Sequence, residues 1–188
     1  MKIVISESQY NRLIEANEEP KILKFPSLDF FDKDPKTAWE IIQKIVERKG
    51  NPPYSIGGSL LLYNTPIQSL GNLQSVGGFL DLRRTPIESL GNLQSVGGSL
   101  DLEETPIQSL GNLQSVGGYL DLNWSRIRSL GNLQSVGGSL DLKKTPIQSL
   151  GNLQSVGGFL DLRRTPLSKM YNEKQIHKMV NVEGDIYL

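Results

Sequence analysis

Residues 77–96 read GGFLDLRRTPIESLGNLQSV, and this one stretch decides the fold. Its closing residues and the start of the next copy form the octapeptide GNLQSVGG. That octapeptide occurs five times, beginning at Gly71, Gly91, Gly111, Gly131 and Gly151. The spacing is 20 residues throughout, and self-similarity at such a fixed period is the signature of a solenoid. One unit offers six apolar side chains for a core: Leu80, Leu82, Ile87, Leu90, Leu93 and Val96. These cannot offset the conformational entropy lost in ordering the whole unit. Stacked copies share one continuous interior and a ladder of backbone hydrogen bonds, so the array folds where the unit does not.

Phe79-Leu80-Asp81-Leu82-Arg83 alternates outward and inward, which predicts a strand. Each strand is reached after the same 20 residues, so neighbours must run parallel. The Gly-Gly before the strand permits a sharp turn, the Thr-Pro after it ends pairing, and Gly91-Asn92 marks a further turn. The stretch from Ile87 to Val96 is too broken for a long helix. The expected architecture is an α/β repeat solenoid with a single curved parallel sheet of about seven strands, an irregular convex side and helical caps at both ends. A parallel β-helix, with flat sheets on three sides, is the alternative.

The consensus LxLxxTxIxxLxxLxxV resembles a leucine-rich repeat of the short, 20-residue bacterial type, over about residues 54–167. The resemblance implies a concave sheet whose first two leucines face the core. That family places an asparagine ladder where this chain has Thr65, Thr85, Thr105, Thr145 and Thr165, so a threonine hydroxyl is expected to form a thinner version of it. The near-verbatim copies, the opening ISESQYNRLIEA and the closing EKQIHKMVNVEGDIYL also resemble uncharacterised bacteriophage-encoded tandem-repeat proteins, which implies no activity.

The ends break the repeat as caps must. Residues 1–55 form an N-terminal segment and helical cap, 56–167 the tandem repeats, and 168–188 a C-terminal cap helix and final strand. Ser6 and Gln9 suit a capping box for a helix reaching Ala16, followed by a polar linker from Asn17 to Pro20. Asp34 and Pro35 open a second helix that Gly50 closes. Its Ala38, Ile41, Ile42, Ile45 and Val46 share one face, with Trp39 adding apolar area to cover the first coil. Asn172 and Gln175 cap a helix carrying Ile176, Met179 and Val180. The last seven residues repeat the strand pattern and are expected to form the seventh strand.

Composition narrows the function. The 188 residues carry 20 Lys plus Arg and 20 Asp plus Glu, for a net charge of zero, which argues against general nucleic-acid or anionic-membrane binding. With no cysteine and a single histidine, His177, most nucleophile–base pairs and thiolate metal sites are unavailable. No secretory signal or transmembrane run is apparent, so a soluble, cytoplasmic protein is expected, in the host cytoplasm or virion if phage-encoded. No cofactor and no enzymatic activity are expected.

Candidate binding residues sit outside the core. One outward column reads Ser59, Phe79, Ser99, Tyr119, Ser139, Phe159; its aromatic rings either anchor a ligand or pack over the serines between them. A second column, Asp81, Asp101, Asp121, Asp141 and Asp161, needs compensation, for which Arg83, Lys143 and Arg163 lie two residues along; cation binding is its sharper reading. Copies vary mainly in the two residues after the strand, and coil four departs furthest, with Trp124, Ser125, Arg126 and Arg128. Lys143, Lys144, Arg163 and Arg164 make the following coils basic. These features predict a scaffold that recognises a protein partner through the concave face and the variable residues, centred on Tyr119 and Trp124. The alternatives are carbohydrate binding, ice binding through the threonine column, and a purely structural virion component.

Overall fold

A computed structural model describes residues 22–26 and 34–188; the helix expected between Ser6 and Ala16 lies outside them. The described chain is a parallel-strand β-solenoid with few helices. Leu80, Leu82, Ile87, Leu90, Leu93 and Val96 are all buried, as are their counterparts in the next three coils. Successive copies stack in register, Leu80 against Leu100 and Leu100 against Leu120, so each residue type forms a column down one shared interior.

Two ladders run the length of the stack. One has seven strands, from Leu60–Leu61 through Leu80–Asp81 to Ile186–Tyr187. The other has eight, from Leu23–Phe25 and Tyr54–Ile56 through copies such as Ser95–Val96 to Asn181–Val182. The single sheet with an irregular back is therefore corrected: the Ser-Val segment on the back pairs as regularly as the Leu-Asp segment on the front. Most strands in both ladders are two residues long. The Leu-Asp strand stops early because Asp81 Oδ1 accepts the Arg83 N–H at 3.1 Å, which starts the turn; such short-range side-chain bonds compete with ladder pairing.

Between the ladders sits the Gly-Gly corner, where coils touch backbone to backbone. A Cβ on Gly117 would overlap the carbonyl oxygen of Gly97 one coil away, and the same holds down this column from Gly77 to Gly157. The glycine of Gly-Asn at the opposite corner is left-handed in all five copies, and at Gly111 and Gly151 it also lies against the backbone of the coil before. Gly131 has φ +57° with nothing within 4 Å of a built Cβ, so it supplies only the left-handed turn. The asparagines beside that glycine form part of a side-chain ladder, Asn92 Nδ2 donating to Asn72 Oδ1 at 3.0 Å and Asn112 Nδ2 to Asn92 Oδ1 at 3.4 Å.

The contacts between coils alternate. On the front, Ser59, Ser99 and Ser139 each accept, through Oγ, the backbone N–H of the aromatic residue in the next coil: Phe79, Tyr119 and Phe159, at 3.0–3.1 Å. On the third side, isolated bridges join Ser89 to Ser109 and Ser129 to Ser149. The front bonds thus fall between one set of neighbours and the bridges between the other, and the physical repeat is two coils.

Helix α1, Pro35–Arg48, covers the first coil. Asp34 caps it by accepting the Thr37 N–H at 3.1 Å, and it buries Ala38, Trp39, Ile42 and Val46, with Ile41 and Ile45 only half-buried. It docks on Tyr54, which is fully buried. The Tyr54 hydroxyl donates to the Leu70 carbonyl at 2.7 Å and accepts from Gln43 Nε2 at 3.0 Å, with the Trp39 ring centroid 6.4 Å away. At the far end are two single-turn helices, α2 (Leu167–Met170) and α3 (Glu173–Ile176). Asn172 and Gln175 form the capping box of α3. Ile176 and Val180 are buried, but α3 ends at Ile176 and Met179 points to solvent, a departure from the longer helix expected.

The two glycine roles predict different costs. Gly117→Ala should destabilise by roughly 1–3 kcal/mol or more, because backbone cannot move aside. Gly131→Ala should cost about 1–2 kcal/mol, the strain of a left-handed alanine alone. Chemical denaturation of both variants checks the order; equal losses would sink the close-contact account.

Candidate functional site

Most repeated polar residues have a structural task. The five threonines after the strand donate Oγ1 to the leucine carbonyl three residues back, as Thr85 to Leu82 at 2.7 Å. These bonds lie within one coil, so the threonines close a turn and do not build the expected ladder between coils. Thr85, Thr105, Thr145 and Thr165 are buried, so they present no lattice-matching surface to ice. Ser89 Oγ accepts the Gly91 N–H at 3.1 Å, and Ser69, Ser109, Ser129 and Ser149 repeat this bond in their coils. What remains free is the aromatic half of the first column and the variable pair after the strand.

Aromatic rings of the first column reach across the serines between them. Tyr119 and Phe159 have centroids 6.4 Å apart, and Phe159 meets Tyr187 at 5.8 Å, edge to face. Arg163 lies over Tyr187, 5.3 Å from its centroid. Phe159 and Tyr187 stay partly exposed, while Phe79 and Tyr119 are half-buried. Tyr187 was not singled out in sequence because it stands in the aspartate column, opposite Asp161.

The aspartates of that column all turn one oxygen to the backbone N–H two residues on. Arg83 bridges Asp81 and Asp101, at 2.6 and 3.1 Å, and Arg163 pairs with Asp161. Lys143 makes no ion pair among the described residues; its backbone N–H donates to Asp141 at 2.8 Å, and its charge acts on that carboxylate without contact. Burial pushes the Asp101 carboxyl up to about 6, opposed mainly by the Glu103 N–H. Burial also raises Asp121 and Asp141, each further raised by the next aspartate. Asp161 goes the other way: burial raises it, but the Arg163 guanidinium and N–H together outweigh that and hold it low. Tyr119, whose hydroxyl donates to Asp121 at 3.2 Å, is raised by burial and then by the Asp121 and Asp141 charges. No group of three or more acidic or histidine side chains suited to a metal ion occurs among the described residues.

The variable pair has a backbone property that its residue types conceal. Its second member is left-handed in every coil: Asn64, Arg84, Glu104, Trp124, Lys144 and Arg164 have φ between 54° and 60°. Asparagine tolerates this; a bulky aromatic such as Trp124 rarely does. Trp124 is 54% exposed, and Lys144 Nζ sits 3.9 Å from its ring centroid, within cation–π range. A shallow depression beside the ring is lined by Glu104, Thr105, Pro106, Trp124 and Arg126. Replacement of Thr by Ser125 also loses a bond, since Ser125 Oγ is buried without a partner, as is Asn123 Oδ1.

The expected patch centred on Tyr119 and Trp124 thus falls into two contact networks. Tyr119 belongs to the rings and carboxylates of the front sheet; Trp124 belongs to the turn with Lys144. Arg126 joins Trp124, whereas Arg128 lies in the row of Glu88, Gln108 and Gln148, its carbonyl accepting the Gln148 N–H at 2.8 Å. Compared with protein-family models, with curated proteins and with solved structures, the chain matches none. No described helix is long and apolar enough to cross a membrane.

The carboxylate shifts predict a pH dependence. Asp101 binds its proton more tightly folded than unfolded, where its value is about 3.9. Its contribution to stability is therefore present below pH 4 and lost as pH rises through about 6. Asp121 acts in the same direction. Asp121→Asn keeps the acceptor for Asn123 and removes the like charge, so it should stabilise at pH 7.5 by up to about 1 kcal/mol. The gain should vanish near pH 4. Thermal unfolding at the two values checks this, and an equal loss at both would refute it.

Proposed function

We propose that the chain is a non-enzymatic binding scaffold that recognises a protein partner through the residues left free by its repeat, above all the turn around Trp124. The supporting observation is that coil four gives up local stability at its most exposed aromatic residue. Trp124 is left-handed, the hydroxyl of its neighbour Ser125 is buried without a partner, and the Asn123 side-chain oxygen is unpaired. Departures of this kind from a locally consistent design gather at functional sites. Exposed Trp, Tyr and Arg are also the residues that dominate binding energy at protein interfaces.

Catalysis has no part in this reading. His177 is exposed on the C-terminal cap, 3.8 Å from Glu173, and the carboxylates of the front sheet are already engaged by backbone N–H groups. On consensus we read the coil as a leucine-rich-repeat variant with a paired back, and the phage-type resemblance sets the scaffold in the host cytoplasm or on a virion. Carbohydrate binding is the second reading, favoured by the run Tyr119, Phe159, Tyr187 beside the aspartates. Its weak point is that the rings are tilted 56° and 65° to one another and offer no flat platform.

Trp124→Asn tests the proposal because asparagine suits the left-handed turn. The variant should fold at least as stably as the parent, yet bind its partner on the order of thirtyfold more weakly, as expected for loss of a hot spot. The measurement is affinity capture from the native host followed by titration of the identified protein. Partner affinity unchanged in both Trp124→Asn and Tyr119→Ala would overturn the reading.

A further inference from the structure

The left-handed column changes character along the stack. In its early part the charges are matched: Arg84 Nε meets Glu104 Oε2 at 2.9 Å, and the neighbouring Arg83 is held by Asp81 and Asp101. From coil four onward the column itself has no such match, although the neighbouring Arg163 is held by Asp161. Among the described residues, Arg126, Lys143, Lys144 and Arg164 have no carboxylate partner. Lys144 instead lies over the Trp124 ring, and Arg126 lines the depression on the other side of that ring. Glu104, the one acid in the depression, is already neutralised by Arg84. The carboxylates of the adjoining sheet face turn an oxygen to their own backbone. Packing like charges together carries a cost: burial together with the Lys143 and Arg164 charges, opposed in part by Asp141, lowers the Lys144 ammonium from its ordinary value.

We infer that this corner, from Trp124 across Lys144 to Arg164, receives a short acidic segment of the partner polypeptide. The inference rests on the scaffold reading and adds the chemistry of what is bound. Coils are about 4.8 Å apart, so the corner spans roughly 10 Å. That accommodates about three extended residues at roughly 3.3 Å each. Carboxylates of such a segment meet Lys144, Arg164 and Arg126, while its aliphatic stems cover the Trp124 ring. A long polyanion fits less well. Extended towards the early coils it meets Glu103, and along the front sheet it meets the aspartate column.

Isothermal titration of the whole chain at low salt decides the matter, with an oligoglutamate peptide, an oligolysine peptide and an oligothymidylate as probes. Oligoglutamate should bind, weaken as salt is raised, and lose on the order of tenfold in affinity in the double variant Lys144→Glu, Arg164→Glu. Lys44→Ala, an exposed position on the N-terminal cap helix, should bind oligoglutamate as the parent does. No binding of oligoglutamate, equal binding of oligolysine, or indifference to the double variant would overturn the inference. Tighter binding of oligothymidylate would do so in favour of a nucleic-acid surface. If oligoglutamate fails while capture of a host protein still depends on Trp124, the acidic chemistry is wrong and the scaffold reading stands. If both fail, both fall.

Discussion

The structure depends on one close approach: glycine backbone lying against glycine backbone at the corner between the two ladders. No side chain fits there, so the distance between coils is set by main-chain atoms alone. Once that distance is fixed, both ladders pair in the same register and every leucine meets its own copy. The interior then grows by simple addition, each coil burying the apolar face of the one before it. The caps finish the two ends of this stack. Tyr54 shows how: its ring belongs to the first coil, while its hydroxyl ties the Gln43 side chain of α1 to the Leu70 carbonyl.

Around that core, the repeated polar residues act as local clamps. Threonine closes the turn after the front strand, aspartate opens it, and serine shapes the Gly-Asn corner. Their bonds are short in sequence and recur from coil to coil, coil four alone lacking the threonine bond, which is why the copies are nearly verbatim. Only positions without such a task can differ freely, and those positions form the outer edge where charge and aromatic character change from coil to coil. The frame and the surface are thus separated at single-residue resolution along one 20-residue unit.

Much of this was legible from residue order. The period, the inward leucines, the parallel stacking, the helix opened by Asp34 and the Asn172–Gln175 capping box follow from patterning and capping chemistry. The second ladder did not, because Gln94-Ser95-Val96 is too short to show alternation and gains its pairing only from the copies above and below. The task of the threonines was misplaced because spacing alone does not tell a bond within a coil from one between coils. The left-handed turn was hidden for another reason: Arg84, Glu104 and Lys144 are ordinary residues for a surface, and nothing in their type announces a positive φ. Of the site, Trp124, Arg126 and Lys144 stood out as departures from the repeat. Tyr187 did not, since its neighbours in space are far away in sequence.

The alternation of front bonds and third-side bridges has a consequence for the history of such an array. Recombination between identical copies naturally adds or deletes a single 20-residue module. Here that event would place two aromatic modules, or two serine modules, side by side. Rings would crowd at adjacent rungs, or an amide would lose its hydroxyl acceptor. Growth and shrinkage are therefore gentlest in even steps, and lengths differing by one module carry a parity defect that later substitutions must heal.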